Sequence, residues 1–153
     1  MNIFNLFPKT GPASSRKIFL ALRIPVNAFE FLGDVVKTDF DQLITGQNNN
    51  SIAGRAMQEI MSSEKDILIG NFYASHQALT ELYNALSENN LAITCIFVPT
   101  EERRKTELAD AQSLNRWMDF PPGHLETIHE KNGIELTEIR RYFSSKGVMI
   151  SEI

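Results

Sequence analysis

Short apolar runs alternate with amphipathic stretches along the chain, and turn residues separate them. Apolar runs of four to eight residues bounded by turn signals are typical of buried strands. Residues 26–31 add an alternating pattern that contains two Phe side chains. The pattern predicts five strands, at residues 2–7, 26–31, 65–72, 91–98 and 148–153.

Amphipathic stretches with helical spacing lie between these runs. In the first of them, Ser14 or Ser15 is placed to cap a helix that Pro25 ends. Ser51 is a similar cap for a later one, and Gly133 divides the last stretch into two pieces. The predicted helices cover residues 14–22, 33–44, 51–64, 75–90, 101–114 and the two pieces within 124–147.

Strands that are each separated by a helical stretch predict a parallel sheet covered on both faces. Right-handed crossovers then give a three-layer, doubly wound α/β domain. We predict a single domain over residues 1–153, since 153 residues match one domain of ordinary size. In such a domain, ligands bind beyond the carboxyl ends of the strands.

Composition excludes several classes of function. The net charge of −4 and the lack of a tight basic cluster argue against nucleic-acid binding. No apolar run approaches a membrane span, and no signal peptide precedes the first strand, so we expect a cytoplasmic protein. The only cysteine, Cys95, lies in an apolar run and is predicted to be core. The three histidines have no metal-site spacing, so no structural metal is expected.

The segment "GPASSRK", residues 11–17, has part of the pattern of a phosphate-binding loop. That loop is written G-x-x-x-x-G-K-[ST], with glycines for the turn, lysine on the phosphates and a hydroxyl on the metal. Gly11 and Lys17 have the required separation. Arg16 stands in place of the second glycine, and Ile18 in place of the hydroxyl.

Further segments extend this pattern over nearly the whole chain. They are "ILIGNFYASHQALTEL" at 67–82, "AITCIFVPTEERRKTEL" at 92–108 and "IRRYFSSKGVMISEI" at 139–153. In order and spacing, the chain resembles the adenylate kinases and related nucleoside monophosphate kinases in shortened form. The resemblance implies a three-layer P-loop kinase-like fold with a five-stranded parallel sheet. It also implies a strongly reduced lid, since only residues 107–116 remain for it.

The resemblance implies a nucleotide as partner, with ATP and Mg²⁺ as cofactors. Lys17 and Arg116 match catalytic positions of the family. Matches to nucleotide-binding positions are Gly11, Pro12, Ser14, Ser15, Arg16, Lys17, Asp34, Lys37 and Gln77. Taken without the resemblance, Lys17 is equally a solvated lysine, and Asp34 an ordinary charge at a helix start. Phe72 and Tyr73, at the end of a predicted strand, either stack on a base or belong to core or rim packing.

Several departures from the family weaken the catalytic expectation. Arg16 and Ile18 disrupt the loop, and Ala74 stands where an arginine clamps the transferred phosphate. Phosphoryl transfer depends on such charges, so we predict a nucleotide-binding protein with weak or no phosphotransferase activity. Two alternatives remain open. One is an active nucleoside monophosphate kinase in which Arg16, Lys37, Arg116 or Arg140 substitute for the missing groups. The other is a protein-interaction module that keeps only the scaffold.

Overall fold

The structure is a computed structural model, which describes residues 16–43 and 51–153. Of residues 115–118 it describes the backbone alone. The predicted strand at residues 2–7 therefore lies outside the described residues. Within the described part, no helix is both long enough and apolar enough to cross a membrane.

Five parallel strands form one sheet. They are β1 (Ile18–Ala21), β2 (Val36–Asp39), β3 (Ile67–Gly70), β4 (Cys95–Val98) and β5 (Met149–Glu152). Their order across the sheet is β2-β3-β1-β4-β5. In the central strand, Phe19 lies opposite Leu68 on one side and Cys95 on the other. The predicted five-stranded parallel sheet is confirmed.

Helical segments cover both faces of the sheet. The α-helices are α1 (Ile52–Ser62), α2 (His76–Glu88), α3 (Glu101–Met118) and α4 (His124–Ser145). Helices α1, α2 and α4 bury their apolar stripes against one face, through side chains such as Ile60, Leu82 and Phe143. The opposite face is covered by a 3₁₀ segment, Val26–Leu32, whose Phe29 packs on Phe97 at 4.8 Å between ring centroids. The architecture fits a three-layer α/β fold.

Three local predictions in the first third of the chain are wrong. Residues 14–22 were expected to contain a helix, but Ile18–Ala21 is strand β1, because pairing with β3 and β4 outweighs local preference. The expected strand at 26–31 is the 3₁₀ segment. The expected helix at 33–44 contains strand β2, which pairs with β3, and a second 3₁₀ turn, Phe40–Leu43.

The rest of the chain follows the predicted pattern more closely. The three later strands and helices α1 and α2 occur where expected. The hydroxyl of Ser51 accepts the N–H of Gly54 at 2.9 Å, as expected of an N-cap. The break predicted at Gly133 is wrong, since α4 runs through it. Here the missing side chain makes room for the guanidinium of Arg104, because a Cβ at residue 133 would collide with Nη2 of Arg104.

Candidate functional site

The carboxyl ends of the two central strands β1 and β3 meet at one edge of the sheet, called here the carboxyl edge. The chain leaves β1 through Arg23 at φ 58° and leaves β3 through Asn71 at φ 50°. Non-glycine residues rarely adopt this left-handed region, and such strain concentrates at functional sites. The N–H of Asn71 donates to the carbonyl of Ile24 at 2.7 Å, and this bond joins the two exits.

Arg23 points into this edge and forms an ion pair with Glu107 of helix α3. Nη2 of Arg23 lies 3.3 Å from Oε1 of Glu107, and the two side chains are 15% and 35% exposed. Both atoms are shielded from solvent, and their mutual angle does not meet hydrogen-bond geometry. The guanidinium and the carboxylate therefore attract each other as charges, without the aligned hydrogen bond that would make the contact strong.

Three surface cavities lie next to this ion pair. A small cavity of about 40 Å³ lies beside Arg23, between Phe72 and helix α4. An open depression of about 580 Å³ extends toward Thr100 and Arg103, at the start of α3. A cleft of about 270 Å³ extends between α3 and α4, and Tyr73 is among the residues that line it. Arg23 lines all of them, at the place where an α/β sheet of this kind binds ligands.

The connection that follows β1 has no room for a phosphate loop. The N–H of Val26 donates to Oδ1 of Asp39 at 3.0 Å, so a carboxylate of the protein occupies the start of this segment. A Cβ on Gly70 would lie 2.6 Å from Cγ1 of Val26, which shows how closely the segments approach. Ile24 and Phe29 are fully buried. Residues 22–32 contain no Gly, Lys, Ser or Thr, so they do not fit Mg²⁺-ATP.

Arg16 and Lys17 lie at the opposite, amino edge of the sheet. The guanidinium of Arg16 donates to the carbonyls of Ile60 and Ser63 at the end of α1. The backbone N–H of Lys17 donates to Asp66 Oδ1 at 2.8 Å, and its side chain is exposed. Because Ile18 begins β1, Lys17 precedes a strand instead of opening a helix. Four predicted residues lie outside the described part: Gly11, Pro12, Ser14 and Ser15.

The remaining predicted residues are not brought together. Asp34 is exposed in the turn before β2, and Nζ of Lys37 donates to the Gly33 carbonyl at 3.0 Å. Gln77 lies in the first turn of α2, where Nε2 donates to Glu81 at 3.2 Å. Arg116 belongs to α3, and its side chain is not described. Their roles in nucleotide binding stay predictions.

Cys95 is in β4 and buried, as predicted, and this burial raises the pKa of its thiol to about 11. A thiol held neutral in this way is a poor nucleophile.

Among residues 16–43 and 51–153, no three His, Cys, Asp or Glu side chains are grouped so that they could hold a metal ion.

Sequence reasoning missed Arg23, Glu107 and the hydrogen bond that Asp39 accepts from Val26. Arg23 directly follows the helix predicted at residues 14–22, where an arginine carries no special meaning. Had β1 been placed at residues 18–21, Arg23 would have followed a central strand directly. That position at the carboxyl edge is the signal that could have identified it.

Comparisons with protein-family models, with curated proteins and with solved structures found no match for this chain. The resemblance to nucleoside monophosphate kinases therefore stands on the residues and segments quoted above.

Proposed function

We propose that the protein is a ligand-binding α/β domain of nucleoside monophosphate kinase type that lacks phosphotransferase activity. The hydrogen bond from Val26 N–H to Asp39 carries this proposal. A helix start after the first strand is the natural anchor for nucleotide phosphates. Here a fixed carboxylate occupies it, and its negative charge opposes a phosphate at the same place.

The ligand proposed for this site is a small phosphorylated compound of the nucleotide class, held by Arg23. A guanidinium fork matches phosphate oxygens, and a mostly shielded one interacts more strongly than an exposed one. The contact with Glu107 is poorly aligned, so a phosphate in good geometry can replace the carboxylate. The open depressions on both sides of the pair give such a ligand a path to Arg23.

No observation favours an active kinase. Of the proposed substitutes, Arg16 binds the end of α1, Lys37 binds the Gly33 carbonyl, and Arg140 pairs with Glu152 at 2.8 Å. These three side chains have partners of their own and do not converge on Arg23. Transfer of a phosphoryl group needs several charges at one place, and these described residues do not supply them.

A protein-interaction module is the second candidate. Two observations favour it: Glu107 already neutralises Arg23, and the cavity between Arg23 and helix α4 has a volume of only about 40 Å³. In this case no small molecule binds at the carboxyl edge, and the pair of Arg23 and Glu107 only stabilises the fold.

Titration calorimetry with AMP and with ATP, with and without Mg²⁺, separates these functions. The test variant is Arg23→Gln, and Lys105→Ala is the matched control because Lys105 is an exposed cation on α3. We expect binding that Arg23→Gln weakens at least roughly tenfold and Lys105→Ala leaves unchanged. Absence of binding by every nucleotide rejects the ligand proposal in favour of the interaction module. Production of diphosphate that disappears in Arg23→Gln rejects the non-catalytic proposal.

A further inference from the structure

We propose that residues 2–7 of this chain dock on the face of the sheet opposite to α1, α2 and α4. This face, called here the aromatic face, carries Phe19, Cys95 and Phe97. The proposal does not depend on the function proposed for the carboxyl edge, because it concerns a different surface.

The two faces of the sheet are covered unequally. Helices α1, α2 and α4 all contribute to the core on one face. Among the described residues, the core of the aromatic face is built from strands, from the 3₁₀ segment Val26–Leu32 and from residues beside them, without any α-helix. A helical segment with its side chains is about 10 Å wide, whereas five strands span about 19 Å. The 3₁₀ segment therefore covers only part of this face.

Large apolar side chains remain exposed on the aromatic face. Phe31 is 64% exposed and Met149 is 63% exposed. The rings of Phe31 and Phe19 lie 6.3 Å and 6.1 Å from the ring of Phe97. Met149 lies beside Cys95 in the register of β4 and β5. These side chains form one patch around β4, and an exposed patch of this kind indicates a docking surface.

The size of the patch distinguishes a short segment from a second copy of the chain. A large side chain offers about 200 Å², so Phe31 and Met149 together leave on the order of 250 Å² uncovered. A stable dimer buries about 800 Å² on each partner. The patch therefore fits a few apolar side chains better than it fits a subunit interface.

Residues 2–7, "NIFNLF", have the composition that such a patch requires. Four of the six residues are large and apolar, and none is charged: Ile3, Phe4, Leu6 and Phe7 are the apolar ones. Burial of such side chains is favourable, and it leaves no charge without water. Because the segment belongs to the same chain, its effective concentration at the face is in the millimolar range. It therefore competes well with any separate molecule.

The segment can reach the patch. The described chain begins at Arg16 on the amino edge, three residues before Phe19. Residues 8–15 form the connection, and eight extended residues span up to about 26 Å. Phe19 and Met149 are two strand spacings apart, or about 10 Å. The other face already has its α-helices, so the aromatic face is the one left open to the segment.

Oxidation of methionine by hydrogen peroxide, followed by mass spectrometry of the full chain, tests the proposal. Met61 on α1 is the internal control, since it is 47% exposed and lies away from the aromatic face. An uncovered Met149 would be oxidised at least as fast as Met61. We expect roughly tenfold slower oxidation of Met149, because a segment docked about nine tenths of the time leaves the sulfur accessible for the remaining tenth.

Substitutions in the segment should remove this protection. We expect the double variant Phe4→Ser with Phe7→Ser to oxidise Met149 about tenfold faster than the native chain and to leave Met61 unchanged. The matched control is Asn2→Ser with Asn5→Ser, which changes only polar residues of the same segment and should keep the protection.

A variant of the face itself tests the same contact from the other side. Phe31→Ser removes an exposed ring and leaves the segment intact, so it should speed the oxidation of Met149 severalfold. This variant decides the question if the double variant loosens the whole fold, which faster oxidation of Met61 would reveal.

Three results would overturn the proposal. Oxidation of Met149 in the native chain as fast as that of Met61 means that the face is open. Protection that rises with protein concentration and persists in the Phe4→Ser, Phe7→Ser variant means that a second copy covers it. Protection of Met61 that this variant removes, with Met149 unaffected, places the segment on α1 instead.

Discussion

The carboxylate of Asp39, at the end of β2, accepts the backbone N–H of Val26, at the start of the segment that follows β1, over 3.0 Å. This contact joins an edge strand to the first crossover across the end of β3. It fixes the entry into the 3₁₀ segment that covers one face of the sheet. The same contact places a negative charge at the start of the helical segment after β1, an end that otherwise favours anions.

Removal of this carboxylate should destabilise the fold. We expect Asp39→Ala to lower the free energy of unfolding by about 1 kcal/mol, since the N–H of Val26 then loses its acceptor. Asp39→Asn keeps an oxygen at the same place and serves as the control, with a smaller loss. Urea denaturation of the three proteins measures the difference. Equal stability of Asp39→Ala and the native protein would contradict the role given to this bond.

Any side chain at Gly70 should lower the stability of the fold. A Cβ there would lie 2.6 Å from Cγ1 and 3.0 Å from N of Val26. Because one of these atoms is backbone, we expect Gly70→Ala to cost about 1–3 kcal/mol of stability. The double variant with Val26→Ala should recover part of this loss, because it removes the closer atom.

Gly133→Ala is the matched control for this substitution, measured by the same urea denaturation. Its new Cβ meets the flexible end of Arg104, which can move aside, and alanine favours a helix interior. We therefore expect a change within about 1 kcal/mol of zero at Gly133. A larger loss at Gly133 than at Gly70 would show that close backbone approach is not what constrains Gly70.

Arg16 should contribute to stability and not to ligand binding. Its guanidinium donates to the carbonyls of Ile60 and Ser63, which satisfies acceptors at the end of α1. Arg16→Ala is expected to cost about 1.5–3 kcal/mol, the range for hydrogen bonds to a charged group. Lys17→Ala is the neighbouring control with an exposed side chain and should be neutral.

Calorimetry with AMP should give the native affinity for both of these variants, because both residues lie at the amino edge. A loss of binding in Lys17→Ala with stability unchanged would instead support the phosphate-loop role that the sequence pattern suggested.

The stability contributed by Cys95 should depend on pH. Burial raises the pKa of this thiol from 9.0 to about 11, so the folded state favours the neutral form. This contribution is therefore complete below pH 9.0 and is lost as the pH rises toward 11. Urea denaturation of the native protein and of Cys95→Ala over this range should show their difference decreasing. A thiol reagent at neutral pH should react only after unfolding.

The helices and strands that the sequence predicted best are those marked by local patterns, such as helix caps and continuous apolar runs. Helices α1 and α2 have serine caps at Ser51 and Ser75 and clear apolar stripes, and both form as expected. Strands β3 and β4 are continuous apolar runs that only a sheet buried on both faces accommodates. The fold class follows from these elements, since each lies where a parallel sheet requires it.

The first third of the chain could not be predicted in the same way, because long-range pairing decides its structure. The run at residues 18–22 is short enough for either a helix or a strand, and only its partners β3 and β4 settle the choice. Assigning it to a helix placed the predicted site at Lys17, which lies at the amino edge of the sheet. Arg23 and Glu107 come from distant parts of the chain, and no local pattern relates them.

The pairing of β1 also determines when the candidate site can form. Ile18 pairs with Ile67 and Phe19 with Cys95, so the central strand has no partner nearby in sequence. During synthesis the apolar residues of β1 stay unpaired until β3 and β4 have left the ribosome. This delay exposes them to aggregation and slows folding. The arginine at the end of β1 therefore reaches its position only with a nearly complete sheet. Truncated chains that end before β4 should be captured by chaperones instead of binding ligand.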